Sequence, residues 1–249
     1  MRDLRVAASF LTRVPLGVGT EVSMPAATPW FPAVGALVGL AGGALWAVAR
    51  WAMPAPPAAA LTLAGMALIT GAFHHDGLAD VADAFGGGWT PEQRREILHD
   101  SRHGTYGVVS LVIVVLLQWS ALVTLGAWAG AAALIGANVL GRSAILAVLL
   151  VGTPTPTAGL GTNQAAGIPR GATIAGLVAG AALGAAVLGP AALGAVPAVV
   201  ATTFAVHALA RRKIGGFSGD VLGTVEIVGE TAAYLAVAAL AAHGHPPWS

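Results

Sequence analysis

The sequence predicts an all-α fold: a polytopic helical membrane protein of six or seven transmembrane helices, with its active site at the cytoplasmic face. Three observations carry this expectation. Only 9% of the residues are charged and 56% are hydrophobic, with a mean hydropathy of +0.78. A soluble domain carries roughly 25% charged residues, so a polar shell cannot be built from this composition. The 34 glycines and 15 prolines would weaken soluble helices, but membrane helices tolerate them because neighbouring helices, side chains and water re-satisfy the freed backbone groups. Finally, the apolar residues fall into blocks close to the roughly 20 residues that cross a hydrocarbon core. The formal net charge of +1 gives no support to nucleic acid as a partner. The absence of cysteine excludes disulfides, thiolate metal sites and cysteine nucleophiles.

The first segment, "MRDLRVAASFLTRVPLG", has charges at Arg2, Asp3, Arg5 and Arg13 and too short an apolar run for a signal peptide. It reads as an amphipathic piece lying at a basic membrane face. Spans are expected at 31–53, 57–75, 105–126, 129–151, 171–189, 191–210 and 222–243. "MPAPP", "TPTPTAGLG" and "LGPAALG" supply turn chemistry between them. The break near Gly126 is weak, which keeps six spans open beside seven. With the N-terminus in the cytoplasm, ten of the twelve Lys and Arg residues fall on that side, leaving only Arg50 and Arg142. This is the bias the positive-inside rule describes. No domain boundary shows, so residues 1–249 are read as one membrane domain in the lipid bilayer, with a homo-oligomer left open.

Nine of the eleven acidic residues lie in 76–100 and 220–230. In "GAFHHDGLADVADAFGGG", Asp76, Asp80 and Asp83 stand at i, i+4 and i+7, within an arc of roughly 60° on one helical face. The spacing predicts that the second span continues past the membrane, presents three carboxylates in a stripe, and ends at Gly86–Gly88. Like charges on one stripe repel. A solvated helix end is the plain explanation. A divalent cation is the sharper one, and an oxygen set favours Mg²⁺, Mn²⁺ or Ca²⁺. His74 and His75 are adjacent, point about 100° apart on a helix, and make a poor zinc pair.

"TPEQRREILHDSRHGTYG" follows. Thr90 with Gln93 fits a capping box and Pro91 the first helical position, predicting a short helix to about Asp100. Asp100 and Arg102 then lie at the membrane face, either as an ordinary surface pair or with Arg102 as a fork for a phosphate oxygen. In "RRKIGGFSGDVLGTVEIVGE", the basic run fits a membrane anchor, and Gly215, Gly216 and Gly219 make a loop whose backbone can approach an anion. Asp220, Glu226 and Glu230 follow. Asp220 suits a helix start on dipole grounds alone, but two glutamates entering a span mark function more often than not. Arg142, with Asn138 one turn before it, needs a buried partner: the carboxylate site or a substrate phosphate, or a structural salt bridge to Glu226 or Glu230. Carboxylates, arginines and a glycine loop at a membrane face suit metal-assisted phosphoryl transfer. A cation-coupled transporter is the rival, but its sites usually lie at the midplane.

These motifs resemble the cobalamin synthase family, the adenosylcobinamide-GDP ribazoletransferases. The likeness runs through "SFLTRVPLG", "FPAVGALVG", "TGAFHHDGLADVADAFGGG", "EILHDSRHGTYG", "LGRSA", "AGLGT" and "RRKIGGFSGDVLGTVEIVGE". Ala72, His103 and Ser218 depart from the family pattern, where glycine, an aliphatic residue and threonine are usual. The resemblance implies a Mg²⁺-dependent enzyme of the cytoplasmic (inner) membrane. Its substrates would be adenosylcobinamide-GDP and α-ribazole or α-ribazole 5′-phosphate, with release of GMP. Combined with the residues, it assigns Asp76, Asp80 and Asp83 to the metal, with Asp83 or Asp100 also a candidate base. Arg102 and Arg142 would hold the diphosphate and His74 a phosphate oxygen. Gly216, Ser218 and Gly219 would bind substrate, and Asp220 and Glu226 would complete a second metal or substrate shell. A membrane phosphotransferase acting on CDP-alcohols is the related alternative; it usually has arginine where this chain has Asp80.

Overall fold

The computed structural model describes residues 2–17, 23–100, 102–155 and 167–242. Regular structure there is helical apart from an isolated bridge between Pro154 and Phe217. The helices are α1 (Arg2–Leu11), α2 (Met24–Ala27), α3 (Phe31–Ala52), α4 (Ala55–Thr70), α5 (Phe73–Gly87), α6 (Pro91–Leu98), α7 (Thr105–Val123), α8 (Ala127–Val151), α9 (Arg170–Leu188), α10 (Ala192–Ile214) and α11 (Gly219–Ala242). The "AGLGT" run lies outside the described residues.

Five segments are long and apolar enough to cross a membrane, or six if the bent pair α4–α5 counts as one. The longest runs from Arg170 to Ile214 and holds two crossings. At about 1.5 Å per residue it is far longer than a bilayer core is thick, and it breaks at Gly189, where φ is +55°. The chain then folds back, so that Leu177 of α9 and Phe204 and His207 of α10 line one cavity with the end of α8. The protein is therefore a polytopic helical membrane protein, as the composition predicts.

The most buried helix is α8, and α3 runs antiparallel along it through Gly35, Gly39 and Gly43. A Cβ on Gly39 would fall 2.6 Å from the Ile135 Cα, so bare glycine is what lets the two backbones close up. Trp46 fastens the far end, its Nε1 donating to the Ala127 carbonyl at 3.1 Å. Trp119 of α7 does the same for α4 through the Pro56 carbonyl at 2.9 Å. The N-terminal ends of α3, α7, α9 and α11 and the C-terminal ends of α4, α8 and α10 gather at one end of the bundle.

At that end the second span departs from the expectation. It does not run on as one helix: α4 stops at Thr70 and α5 leaves at 90°. The reason is local. Gly71 and Ala72 both take left-handed backbone angles, φ +66° and +55°, and no α-helix passes through two such residues. The Ala67 carbonyl accepts from Ala72 N at 2.8 Å, and the Ile69 carbonyl accepts from Arg13 N at 2.7 Å. Helix α5 thus lies across the end of the bundle, outside the spanning segments. Its own end is as expected: Gly87 is its last residue, and Gly88 turns extended.

Left-handed backbone costs an alanine roughly 1–2 kcal/mol, and glycine avoids most of that at some entropic cost of its own. Replacing Ala72 by Gly is therefore expected to stabilise the protein by up to about 1 kcal/mol. A higher thermal midpoint in detergent checks it.

Candidate active site

The acidic ends of α5 and α11 meet because Gly77 is bare. A Cβ there would fall 2.8 Å from the Asp220 carbonyl oxygen. The approach is locked by Thr224, whose Oγ1 donates to the Gly77 carbonyl at 3.0 Å. Asp76 and Asp220, distant in sequence, consequently face one small cavity with Gly219 and His74. Asp80 sits one turn along α5. Partial burial, and then the neighbouring Asp76 and Asp220 charges, push its carboxyl up to about 6.

A histidine completes the group. His103, in the turn before α7, sets Nε2 3.8 Å from Asp76 Oδ1 and Nδ1 3.7 Å from Asp80 Oδ1. One donor atom from each of Asp76, Asp80 and His103 lies within 4.8 Å of the others. Asp76 and His103 are exposed and Asp80 is partly buried, so the group is open to solvent and to a large substrate. The chemistry of the donors fits a hard divalent cation that keeps several waters, as Mg²⁺ does; the imidazole adds a donor that Mn²⁺ or Zn²⁺ uses more readily. From the sequence, His103 stands out only as a departure from a family pattern. Its position two residues before α7, facing α5, is a product of tertiary packing.

Asp83, third in the stripe, has a different task. Its carboxylate accepts from Gly104 N at 2.6 Å and Gly107 N at 2.9 Å and is buried. Both oxygens cap the positive end of α7. Asp100 and Arg102 pair with each other: Nη2 of Arg102 donates to Asp100 Oδ2 at 2.6 Å and Nε to Oδ1 at 3.0 Å. The guanidinium holds the Asp100 carboxyl at about 2, and the Arg102 side chain is 87% exposed.

Around the glycine loop, Ser218 Oγ donates to Asp220 Oδ2 at 3.2 Å and accepts from Val221 N at 3.3 Å, starting α11. Gly216 is pressed on the Thr153–Pro154 backbone, where Phe217 N donates to the Thr153 carbonyl and Thr155 N to the Phe217 carbonyl, both at 3.0 Å. Its bareness serves chain packing. The capping box on α6 forms as expected, with Thr90 Oγ1 accepting from Gln93 N and Gln93 Oε1 from Thr90 N.

Arg142 and Glu226 stand apart from the exposed carboxylates, in a network inside the bundle. Arg142 Nη1 donates to Glu226 Oε1 at 2.6 Å and to Asn138 Oδ1 at 2.8 Å. His74 Nδ1 lies 2.9 Å from Glu226 Oε2. Tyr234 donates to Glu230 Oε1 at 2.9 Å. Of the partners open for Arg142, the structure shows the salt bridge to Glu226. Asp76, Asp80 and Asp220 are thus brought together, while Asp83, Asp100 and Glu226 are each engaged elsewhere.

A family model described as cobalamin-5-phosphate synthase matches residues 3–238, from α1 through most of α11. The chain belongs to that family. Among its relatives is the adenosylcobinamide-GDP ribazoletransferase of Bradyrhizobium diazoefficiens, 40% identical over 95% of this chain and 93% of the relative. Those of Ralstonia nicotianae (36% identical, 92% of each chain) and Shewanella frigidimarina (34%, covering 94% and 93%) carry the same name. No solved structure matches the chain.

Two predictions follow from this geometry. Gly77→Ala must push α5 from α11 by a few tenths of an ångström or more, so Asp76 and Asp220 separate; enzymatic turnover should fall at least tenfold while helical circular dichroism is retained. Arg142→Met strands a buried carboxylate, which typically costs about 3–5 kcal/mol. Its thermal midpoint in detergent should drop sharply, and adding Glu226→Gln should recover part of the loss.

Proposed function

We propose that the protein transfers the adenosylcobinamide phosphate moiety of adenosylcobinamide-GDP to a ribose hydroxyl of α-ribazole or α-ribazole 5′-phosphate. The bond formed joins the ribose oxygen to the cobinamide-bearing phosphorus; the bond broken frees GMP. The product is adenosylcobalamin or its 5′-phosphate, and the reaction is the last assembly step of cobalamin. The observation that supports this most is the convergence of Asp76, Asp80 and Asp220 from two distant segments at one open end of a membrane bundle, in a chain of this family. The bias of the Lys and Arg residues supports the cytoplasmic side for the end carrying them, and membership of this family supports the inner membrane.

Asp76 and Asp80, with His103 beside them, would hold Mg²⁺. When bound, the ion polarises the phosphoryl oxygens and neutralises the charge that develops on them. Asp220 faces the same small cavity as Asp76 and takes the proton of the attacking hydroxyl on its carboxylate. Asp100 is a poor base by comparison, because Arg102 keeps its carboxyl near 2, far below the working range of a general base. Arg102, exposed at the rim, exchanges Asp100 for a phosphate oxygen of the incoming diphosphate.

Purified protein supplied with adenosylcobinamide-GDP, α-ribazole and Mg²⁺ should release GMP; no release by well-folded protein would remove the reading. Asp76→Asn and Asp80→Asn should each abolish Mg²⁺-dependent turnover without unfolding the protein in detergent. Mg²⁺ affinity should also depend on pH in one direction. The Asp80 carboxyl sits near 6 and must lose its proton to bind the cation. Affinity should therefore level off above pH 6 and fall about tenfold per unit below it, as isothermal titration with Mg²⁺ would record.

A further inference from the structure

A second, larger cavity of about 600 Å³ lies inside the bundle, between α4, α7, α8 and α11 at the root of α5. Its walls are apolar: Ala60, Leu63 and Ala64 from α4, and Leu111, Val115 and Trp119 from α7. Ala60, Ala64 and Val115 are also exposed, so the cavity opens between α4 and α7 toward the membrane. Its floor is polar, formed by His74, Gln118, Asn138, Arg142, Glu226 and Glu230. Three floor atoms on almost wholly buried side chains, Nε2 of His74, Nε of Arg142 and Oε2 of Glu226, have no hydrogen-bond partner among the described residues, although Oε2 lies 2.9 Å from His74 Nδ1. Unmet polar groups in a membrane interior are costly, and a ligand that meets them would bind by doing so.

The chemistry of the lining narrows the occupant. An acyl chain suits the walls but meets neither floor nitrogen. A phosphate or diphosphate would be desolvated against alanine and leucine and repelled by two carboxylates. The corrin macrocycle with its amide arms is larger than the space. A flat aromatic bicycle with one ring-nitrogen acceptor matches both surfaces: its faces and edges lie on the apolar walls, and the nitrogen lone pair accepts from Arg142 Nε–H. The cavity, at about 600 Å³, falls within the 300–1,000 Å³ range of small-molecule sites and has room for such a bicycle.

We propose that this cavity seats the benzimidazole base of the acceptor nucleoside, with its apolar ring drawn into the membrane and its ribose left toward the carboxylate end. This rests on the transfer reaction proposed above. His74 lines both cavities, and on α5 it stands two residues before Asp76, so a base held here leaves its sugar beside the phosphoryl site.

The test reads binding apart from turnover. Benzimidazole alone should bind the wild-type protein in detergent by isothermal titration, be displaced by α-ribazole and be unaffected by GMP. Ala64→Phe narrows the cavity from its wall; it should abolish that binding and raise KM for α-ribazole at least about tenfold. KM for adenosylcobinamide-GDP should stay as it was. Leu68→Phe, on the same helix but outside the cavity, should change neither constant and controls for folding. If wild-type protein releases GMP but does not bind benzimidazole, the inference is wrong and the reaction stands. The inference is equally overturned if Ala64→Phe raises KM for the cobinamide substrate instead, or if a copurified phospholipid fills the cavity and benzimidazole does not displace it. Absence of GMP release from wild-type protein would count against the reaction itself.

Discussion

The arrangement depends on a charge that has nowhere else to go. Arg142 is 1% exposed and Glu226 not at all, and neither tolerates burial in a membrane alone. Their 2.6 Å hydrogen bond ties α8 to α11, and the 2.9 Å approach of His74 to Glu226 adds the start of α5. Three helices are pinned at one level of the bundle by groups whose separation would leave an unpaired ion in an apolar surround. Once pinned there, α5 and α11 have little freedom to slide, and the Gly77–Asp220 contact just above is the place where they touch. The network carries no exposed carboxylate, yet it sets where the exposed ones stand.

The bend at Gly71–Ala72 supplies the second constraint. Had α4 continued straight, its three aspartates would have pointed into solvent, each free to avoid the others. Turned through 90°, α5 lies over the ends of α7 and α11, and its faces acquire different roles. The Asp83 face meets the amides of α7, which need an acceptor. The face with Asp76 and Asp80 meets His103 and Asp220. One regular spacing in sequence thus becomes one structural carboxylate and two available ones. Burial first, and then acids gathered without their counter-charge, raise the Asp80 carboxyl.

Much of this was legible in the residues, and what was not has a common cause. The spans follow from hydropathy because the bilayer imposes their length, and the breaks follow from Pro and Gly. The capping box and the Gly86–Gly88 stop are local and came out as expected. Partner choice is not local. Nothing in "DGLADVAD" distinguishes Asp83 from Asp76; only the position of Gly104 and Gly107 does. His103 reads as an oddity in a turn until α5 swings beneath it. The bend needed Ala72 in a conformation that alanine disfavours, so its residue type argues against the geometry it adopts. Arg142 was ambiguous for the opposite reason: a salt bridge and a phosphate contact require the same residue.

The two cavities give the membrane location a chemical meaning. In the proposed reaction the acceptor has two ends with opposed solvation: a sugar that must react at the open carboxylate end, and a base that is largely apolar. A site wholly in water would hold the base weakly, and one wholly in lipid could not keep open carboxylates. Placing the reaction at the end of a bundle satisfies both ends of one molecule, because the surrounding medium changes over a few helical turns. The polar floor then limits what enters from the membrane side. Lipid tails outnumber any substrate there, and a purely apolar slot would fill with them. On the proposed occupancy, Arg142 and His74, each with an unmet nitrogen, make that filling unfavourable and favour a ring that can accept a hydrogen bond. The same buried charges that hold the helices together thereby discriminate between solvent lipid and ligand.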